Sequence, residues 1–196
     1  MIKRDPDEPI SLFADWYAEA ANCGLSEPTA VALASADINA RPSVRMVLLK
    51  SFDAEGYVFY TNLESRKGRE LIANPHAALC FFWMPIDKQV RVEGTVTVVS
   101  DAEADAYFAS RGRDSQIGAW ASPQSRPLES RMAIEKSVAL QSVKFSIGKV
   151  PRPHFWSGFR LRPECIEFWH KKPFRLHDRL SYTRTNDSWS KRRLYP

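Results

Sequence analysis

Between Ala30 and Val99 the chain falls into short runs that alternate with a two-residue period, and this restricts its fold more than anything else. Ala30–Ala36, Val44–Lys50, Tyr57–Thr61, Ala77–Trp83 and Gln89–Val99 each read as a strand, separated by turn-formers such as Asp53-Ala54-Glu55-Gly56. Strands that follow one another through short turns pair antiparallel, because a parallel pair needs a crossover of a dozen residues or more. The pattern returns at the end of the chain, over His154–Leu161, Glu164–Trp169, Arg179–Arg184 and Trp189–Leu194. The expected class is α+β and mainly β: an antiparallel barrel or strongly curled sheet with helices packed at its sides.

The helices are short. The first is expected from about Glu8 to Asn22, with Pro9 in its first turn, Leu12, Phe13, Trp16 and Ala20 on one apolar face, and Gly24 near its end. A second starts at Ser65 and runs to Ala73, stopped by Asn74-Pro75. A third follows Ser100, whose spacing to Glu103 makes a capping box, and carries Tyr107 and Phe108. A fourth spans Pro127 to Lys144 with Leu128, Met132, Ala139 and Val143 on one face. Gly112 to Arg126 has no period and reads as a loop, and a loop of that length in a compact domain is more often functional than idle. With no repeat and no linker, residues 1–196 read as one domain.

Composition excludes some classes. At 44% hydrophobic and 26% charged the chain is not disordered, and no apolar run reaches the roughly 18 residues that span a bilayer. The opening Met1-Ile2-Lys3-Arg4-Asp5-Pro6 is polar, unlike a signal peptide. Cys23, Cys80 and Cys165 are few, odd in number and far apart, which reads as small buried hydrophobes in a reducing, cytoplasmic compartment. The net charge of +5 is concentrated at the end, where residues 150–196 hold 11 Lys and Arg against 4 Asp and Glu. A basic quarter of this kind attracts nucleic acid, anionic membrane or phosphorylated small molecules. Most of its basic residues are scattered singly, which favours the small molecule over nucleic acid or membrane.

Within that quarter, Arg175-Leu176-His177-Asp178-Arg179 follows closely on Phe168-Trp169-His170. Arg forks hold phosphates, His moves protons near neutral pH and Trp offers a stacking plane, so the string points to a flat phosphorylated ligand. Ser65-Arg66-Lys67-Gly68 enters a helix from the strand end Tyr60-Thr61-Asn62, where free backbone N–H groups and basic side chains make a phosphate cradle. Tyr107, Arg111 and Ser115 recur every four residues and offer a second one. Gln124-Ser125 stands at the far end of the same loop. Arg45 and Lys50 lie an odd number of residues apart, so both reach one ligand only if the strand bulges or ends between them. Gln89 on a strand face suits the edge of a heterocycle. His76, His154 and His170 have no metal-ligand spacing, and no nucleophile elbow, P-loop or glycine-rich nucleotide fingerprint is present.

In their order these strings resemble the pyridoxine/pyridoxamine 5′-phosphate oxidase family: Arg45–Lys50, Tyr60-Thr61-Asn62, Ser65-Arg66-Lys67-Gly68, Gln89-Val90-Arg91, Ser115-Gln116-Ile117-Gly118, Gln124-Ser125, Val150-Pro151-Arg152-Pro153 and Arg175–Arg179. The resemblance covers nearly the whole chain. It implies an antiparallel Greek-key split β-barrel of the FMN-binding type, forming a homodimer with FMN in clefts between the subunits. It also implies oxidation of pyridoxamine or pyridoxine 5′-phosphate to pyridoxal 5′-phosphate, with O2 reduced to H2O2. Carried over by position, Arg45, Met46, Val47, Leu48, Leu49 and Lys50 would hold FMN, with Tyr60, Thr61, Arg66, Lys67 and Gln89. Gln124, Ser125, Trp169 and Arg179 would complete that set. Lys50, Tyr107, Arg111 and Ser115 would grip the substrate phosphate, while Arg175, Leu176 and His177 would line the substrate ring. Arg175 is then expected to stabilise developing negative charge, and His177 to position the substrate or assist a proton transfer. Such a site needs two cationic anchors and few catalytic groups, because the cofactor carries the redox chemistry.

Three departures accompany the resemblance. The family's N-terminal Arg/Tyr segment that folds over the substrate has no match here, Lys88 stands where the family usually has Arg, and His170-Lys171-Lys172 follows Trp169 where Gln-Gly is common. The competing readings are a related flavin oxidase on another planar substrate, such as a phenazine precursor, and a non-catalytic carrier of flavin or pyridoxal phosphate.

Overall fold

The computed structural model describes residues 6–186 and 188–196, so the polar opening read over Met1–Asp5 lies outside the described residues. Nine strands form one antiparallel sheet. They are β1 (Ala30–Ala36), β2 (Pro42–Leu48), β3 (Ser51–Asp53), β4 (Gly56–Asn62), β5 (His76–Trp83), β6 (Lys88–Val98), β7 (Trp156–His170), β8 (Asp178–Thr185) and β9 (Ser188–Arg193). Its order is β2-β1-β5-β6-β7-β4-β3, with β8 and β9 added on β7. Five helices flank the sheet among the described residues: α1 (Pro9–Ala21), α2 (Arg66–Ala73), α3 (Asp101–Ser110), α4 (Arg113–Ala121) and α5 (Arg131–Lys144). The expected curled antiparallel sheet with flanking helices is the fold observed.

Two features curl it. β2 ends at Leu48, two residues earlier than the alternation implied. Leu49 N–H then donates to Thr29 O at 2.9 Å and Lys50 N–H to Val58 O at 2.8 Å, which carries the chain from the β1 edge onto β4. β7 is the other. It was expected as two strands, because Pro163 interrupts the pattern, yet it is one strand of 15 residues. A proline survives there because the β6 register shifts between Glu93 and Gly94, opposite it. Gly94 is required at that point: a Cβ would stand 2.0 Å from Arg162 O. Before the irregularity β7 pairs with β4, and after it with β8, while β6 follows it along much of its length. The sheet therefore splits along β7.

α1 fills the concave side. Its N-cap Glu8 accepts from Ser11 N, and Leu12, Phe13, Trp16 and Ala20 are buried, as the helical spacing required. Phe13 meets Phe52, Tyr57 and Phe81 edge-on at 4.8, 4.9 and 5.1 Å. A fully buried Phe so surrounded contributes roughly 3–5 kcal/mol relative to Ala. Strand residues alternate onto the same core: Val31 and Leu33, Leu79, Phe81 and Trp83, Val90 and Val92, Ile166 and Phe168. A second, smaller core gathers Phe108, Ile117, Val150 and Trp156 where α3 and α4 meet the start of β7.

Three expectations fail locally. Gly112–Arg126 is not a loop, for α4 occupies Arg113–Ala121. Its period is masked because Gly, Ser and Gln stand on it, and its inner face is only Gln116, Ile117 and Ala121. α5 starts at Arg131 rather than Pro127, with Ser130 as the cap, and none of its residues is buried. Leu128, Met132 and Val143 are exposed, whereas Ser137 Oγ donates to Ala121 O at 2.9 Å on the α4 side. The three cysteines are free, as read, but half-buried rather than buried.

Candidate active site

A cleft of about 670 Å³ opens where the outward face of β2, the end of β4, the start of α2, the α3–α4 turn and the start of β7 converge. That volume suits a cofactor-sized ligand, since such sites run from ~300 to 1,000 Å³. β2 lends Met46 and Leu48 to the wall because its residues alternate, sending Ser43 and Arg45 to the other side. Lys50 shares the parity of Met46 and Leu48 and lines the same wall, whereas Arg45, an odd number of residues away, lies on the other side, so the two do not meet in the cleft.

The first anchor is the start of α2. Ser65 caps the helix by accepting from Gly68 N at 3.2 Å. Gly68 brings the turn close to the β4 end, since a Cβ would stand 2.3 Å from Leu63 O. Lys67 Nζ lies 2.7 Å from Gln124 Oε1 and 3.2 Å from both Thr61 Oγ1 and Ser65 Oγ, all neutral oxygens. Burial and the charge of Arg45 lower its pKa to about 8, with Glu70 opposing. A half-buried cation whose hydrogen bonds go to neutral oxygens is an anion site.

Behind it, Arg45 donates from Nη1 to Leu33 O (3.0 Å) and Ser35 Oγ (2.7 Å), and from Nη2 to Ser43 and to Glu70 Oε2 (3.2 Å). Arg66 Nε meets the other oxygen of Glu70 at 2.8 Å. Burial pushes the Glu70 carboxyl up, but hydrogen bonds from Ser35, Ser43 and Arg66 and the charge of Arg45 outweigh it, bringing the pKa down to about 2.

The second anchor is a stack of rings. Tyr60 lies 3.9 Å from Tyr107 and 5.4 Å from Trp156, all nearly parallel, and the Arg111 guanidinium sits 4.8 Å over Trp156. Gly158 leaves room for this, because a Cβ would approach the Tyr60 ring to 2.8 Å. Arg152 braces the α3 side through Asp101 (2.7 Å), Asp105 (2.5 Å) and Trp156 O (2.8 Å). Burial lowers the pKa of Arg111, and its Nη1 is buried with no hydrogen-bond partner. Such an atom costs roughly 1–3 kcal/mol unless a ligand satisfies it. Ser115, on α4, lines the same wall. Burial and Glu103 raise the Tyr60 hydroxyl to about 12, so it stays a neutral donor.

A further group lies elsewhere. Gln89, Trp169 and Arg179 stand side by side across β6, β7 and β8. The Trp169 and His177 rings are 4.7 Å apart, and Lys172 N–H donates to His177 Nδ1 at 3.2 Å, which leaves the proton of a neutral ring on Nε2. Arg179 forks onto the buried Glu167 at 2.8 and 3.0 Å. Phe174 and Arg175 both adopt left-handed backbone, φ +60° and +62°, strain of the kind that clusters at functional turns. The β4 cleft meets β7 near Ser157 and this group meets it at Trp169, about 40 Å of strand at ~3.3 Å per residue.

The expected residues thus divide. Met46, Val47, Leu48, Lys50, Tyr60, Thr61, Lys67 and Gln124 share the cleft with Tyr107, Arg111 and Ser115. Arg45 and Arg66 lie behind it on Glu70, Leu49 is in the core, and Ser125 is exposed in a positive-φ turn. Gln89, Trp169, Arg175, Leu176, His177 and Arg179 belong to the far group. Lys88 turns away from Gln89 into the core, where it pairs with Glu19 and covers Trp16. Sequence reasoning missed Trp156 and Glu70, and quoted Asn62 in the Tyr60-Thr61-Asn62 string without giving it a role. Trp156 carried a signal, an aromatic three residues after the Val150–Pro153 string; Glu70 carried none, since it reads as an ordinary helix carboxylate. No cluster of three potential metal ligands occurs among the described residues, and no helix there is long and apolar enough to cross a membrane.

Residues 17–142 match the family described as "Pyridoxamine 5'-phosphate oxidase", and residues 156–196 match "Pyridoxine 5'-phosphate oxidase C-terminal dimerisation region". Proteins named pyridoxine/pyridoxamine 5'-phosphate oxidase from Brucella canis and Brucella suis are each 60% identical over 96% of this chain and 94% of their own. PhzG from Burkholderia lata, solved with tetrahydrophenazine-1-carboxylic acid, superposes with a TM-score of 0.92 at 34% identity, over 97% of this chain and 94% of its own. A pyridoxamine 5'-phosphate oxidase-related, FMN binding protein from Nostoc punctiforme shares the fold, at a TM-score of 0.74, 17% identity and full coverage of both chains. The chain belongs to the pyridoxamine 5'-phosphate oxidase family.

Proposed function

We propose that this protein is an FMN-dependent oxidase of pyridoxamine 5'-phosphate and pyridoxine 5'-phosphate, working as a cytoplasmic homodimer with O2 as acceptor and each site drawn from both chains. One observation carries the reading: a single cleft holds two separate anion anchors, Lys67 at the α2 start and the unpaired Arg111 beside Tyr107, Ser115 and Lys50. Two phosphorylated molecules in one cleft need that pair. The residues fit FMN, for Lys67 lacks a carboxylate partner in its hydrogen bonds while the apolar Met46 and Leu48 provide a wall for a ring.

Bound FMN supplies the acceptor for the substrate's electrons. The chain's own residues bind and align. Lys67, Thr61 and Gln124 hold the cofactor's phosphate end with Arg66 and Arg45 behind, while Met46 to Lys50 follow its ring. Ser125 closes the loop after Gln124, and the backbone of the core residue Leu49 keeps that edge in place. Arg111, Ser115, Tyr107 and Lys50 take the substrate phosphate. Arg175 and His177, with Leu176, Trp169, Gln89 and Arg179, come from the second copy, since ~40 Å of strand separates them from their own cleft. His177 then offers Nε2–H as a donor to the substrate ring, and Arg175 a positive charge. The family's dimerisation-region match over 156–196 and the exposed Val44 and Met46 on β2 support the pairing. We treat the described residues as one FMN-binding domain, because β7 to β9 continue the same sheet.

The test is a yellow purified protein that releases H2O2 on addition of pyridoxamine 5'-phosphate. Mixing Lys67→Met and Arg175→Ala chains should then restore roughly 25% of activity, because half the dimers are hybrids and each hybrid has one intact composite site. No recovery would refute the shared site. Turnover of a tetrahydrophenazine carboxylate in preference to the phosphorylated amine would refute the substrate; the phosphate anchor argues against that outcome.

A further inference from the structure

We propose that Glu70 is the positioning carboxylate of the phosphate cradle, holding Arg45 and Arg66 as a preset fork next to Lys67 so that the cofactor's phosphate meets an assembled site. This rests on the FMN reading above. Arg45 belongs to β2 and Arg66 and Lys67 to α2, and Glu70 is the group that joins them. Its side chain is 6% exposed. Oε2 accepts from Ser35 (2.6 Å), Ser43 (2.6 Å) and Arg45 (3.2 Å), and Oε1 from Arg66 (2.8 Å), so both oxygens are held. A carboxylate tied by four donors does not swing out to compete with a ligand.

The charges make the same point. Three cations against one carboxylate leave about +2, which matches a phosphate monoester carrying about −1.5 to −2 at neutral pH. Without Glu70 the cations repel one another and each must be ordered by the phosphate when it arrives. With it, that ordering is complete beforehand. The groups facing Lys67 are Arg45 from β2, Glu70 from α2, and the neutral Thr61, Ser65 and Gln124. Glu70 also keeps Lys67 charged, because its negative charge opposes the burial and the Arg45 repulsion that lower the Lys67 pKa.

The experiment titrates flavin fluorescence with apoprotein, using FMN and riboflavin side by side. In Glu70→Gln the FMN dissociation constant should rise at least ~10-fold while that of riboflavin, which has no phosphate, changes less than twofold. Above pH 7 the loss of FMN affinity should also begin at lower pH than in the wild type. Unchanged or tighter FMN binding would overturn the proposal, and so would equal weakening of FMN and riboflavin, which marks a merely structural residue. If Glu70→Gln does not fold, Ser43→Ala loosens the same clasp, and its FMN-to-riboflavin ratio decides by the same criteria. A wild-type protein that binds riboflavin but gains nothing from the phosphate overturns this inference; one that binds neither sinks the FMN reading itself.

Discussion

Gly68→Ala is the sharpest test of how the cradle is built. A Cβ at residue 68 would lie 2.3, 2.5 and 2.6 Å from O, C and Cα of Leu63. Ordinary contact would need about 1 Å more, and backbone has no rotamer with which to yield. Leu63 is itself tied, because its N–H donates to Phe155 O at 2.7 Å. Overpacking of this kind costs roughly 1–3 kcal/mol, while alanine in a helix recovers ~1 kcal/mol over glycine. The net loss is up to about 2 kcal/mol, which for a chain of this size lowers Tm by as much as roughly 8 °C. Gly118 is the control, for it lies in α4 with nothing within 4 Å of an added Cβ. Gly118→Ala should therefore raise Tm by about 2–4 °C. Thermal melts of both apoproteins and an FMN titration complete the assay, with Gly68→Ala also binding FMN more weakly because Lys67 moves with the helix. If Gly68→Ala melts at or above the wild type, helix propensity outweighs the contact, and close docking of α2 on Leu63 does not set the cradle.

Arg111→Met should raise KM for the phosphorylated substrate by more than tenfold yet leave Tm unchanged or higher, since it removes a half-buried guanidinium whose Nη1 is buried and unpaired; a lower Tm would show that the cation stabilises the ligand-free chain. Glu167→Gln releases Arg179, which forks onto it at 2.8 and 3.0 Å, and should cost roughly 2 kcal/mol in chemical denaturation. A loss under about 0.5 kcal/mol would mean that Arg179 finds an equal partner. Glu70, held at about 2 against an ordinary 4.5, adds stability that is fully present above about pH 4.5 and is lost as pH falls toward 2. The fall in Tm over that window should flatten in Glu70→Gln.

β1, β5 and β6 were legible because one face of each is buried, so the alternation of Val31 and Leu33, or of Val90 and Val92, is written directly into the residues. α1 was legible for the same reason at a helical period. What failed depends on partners distant in sequence. Pro163 breaks the pattern of β7 locally, and only Gly94 on β6 shows why the strand continues. α4 has little hydrophobic contrast because one of its sides lines a polar cleft. The apolar face read over α5 is exposed at Met132 and Val143, for periodicity gives a face but not what covers it.

The site shows the same limit at larger scale. Lys67, Arg111 and Ser115 are each readable as anion ligands, and the fold gathers them because β4, α2 and the α3–α4 turn meet at one end of β7. Arg175, His177 and Trp169 are equally readable, but the fold sends them to the other end. A mononucleotide is far shorter than the strand between, so motif order along one chain cannot be the order around one ligand. Two antiparallel copies resolve this if the far end of one β7 lies over the cleft of the other. That arrangement would place the strained turn at Phe174 and Arg175 at a subunit boundary, where partner contacts would cover Phe174, which its own chain leaves 93% exposed. A cofactor bound there would be held by both chains, so its release and the separation of the subunits would be linked, and excess FMN should shift the monomer–dimer equilibrium toward the dimer.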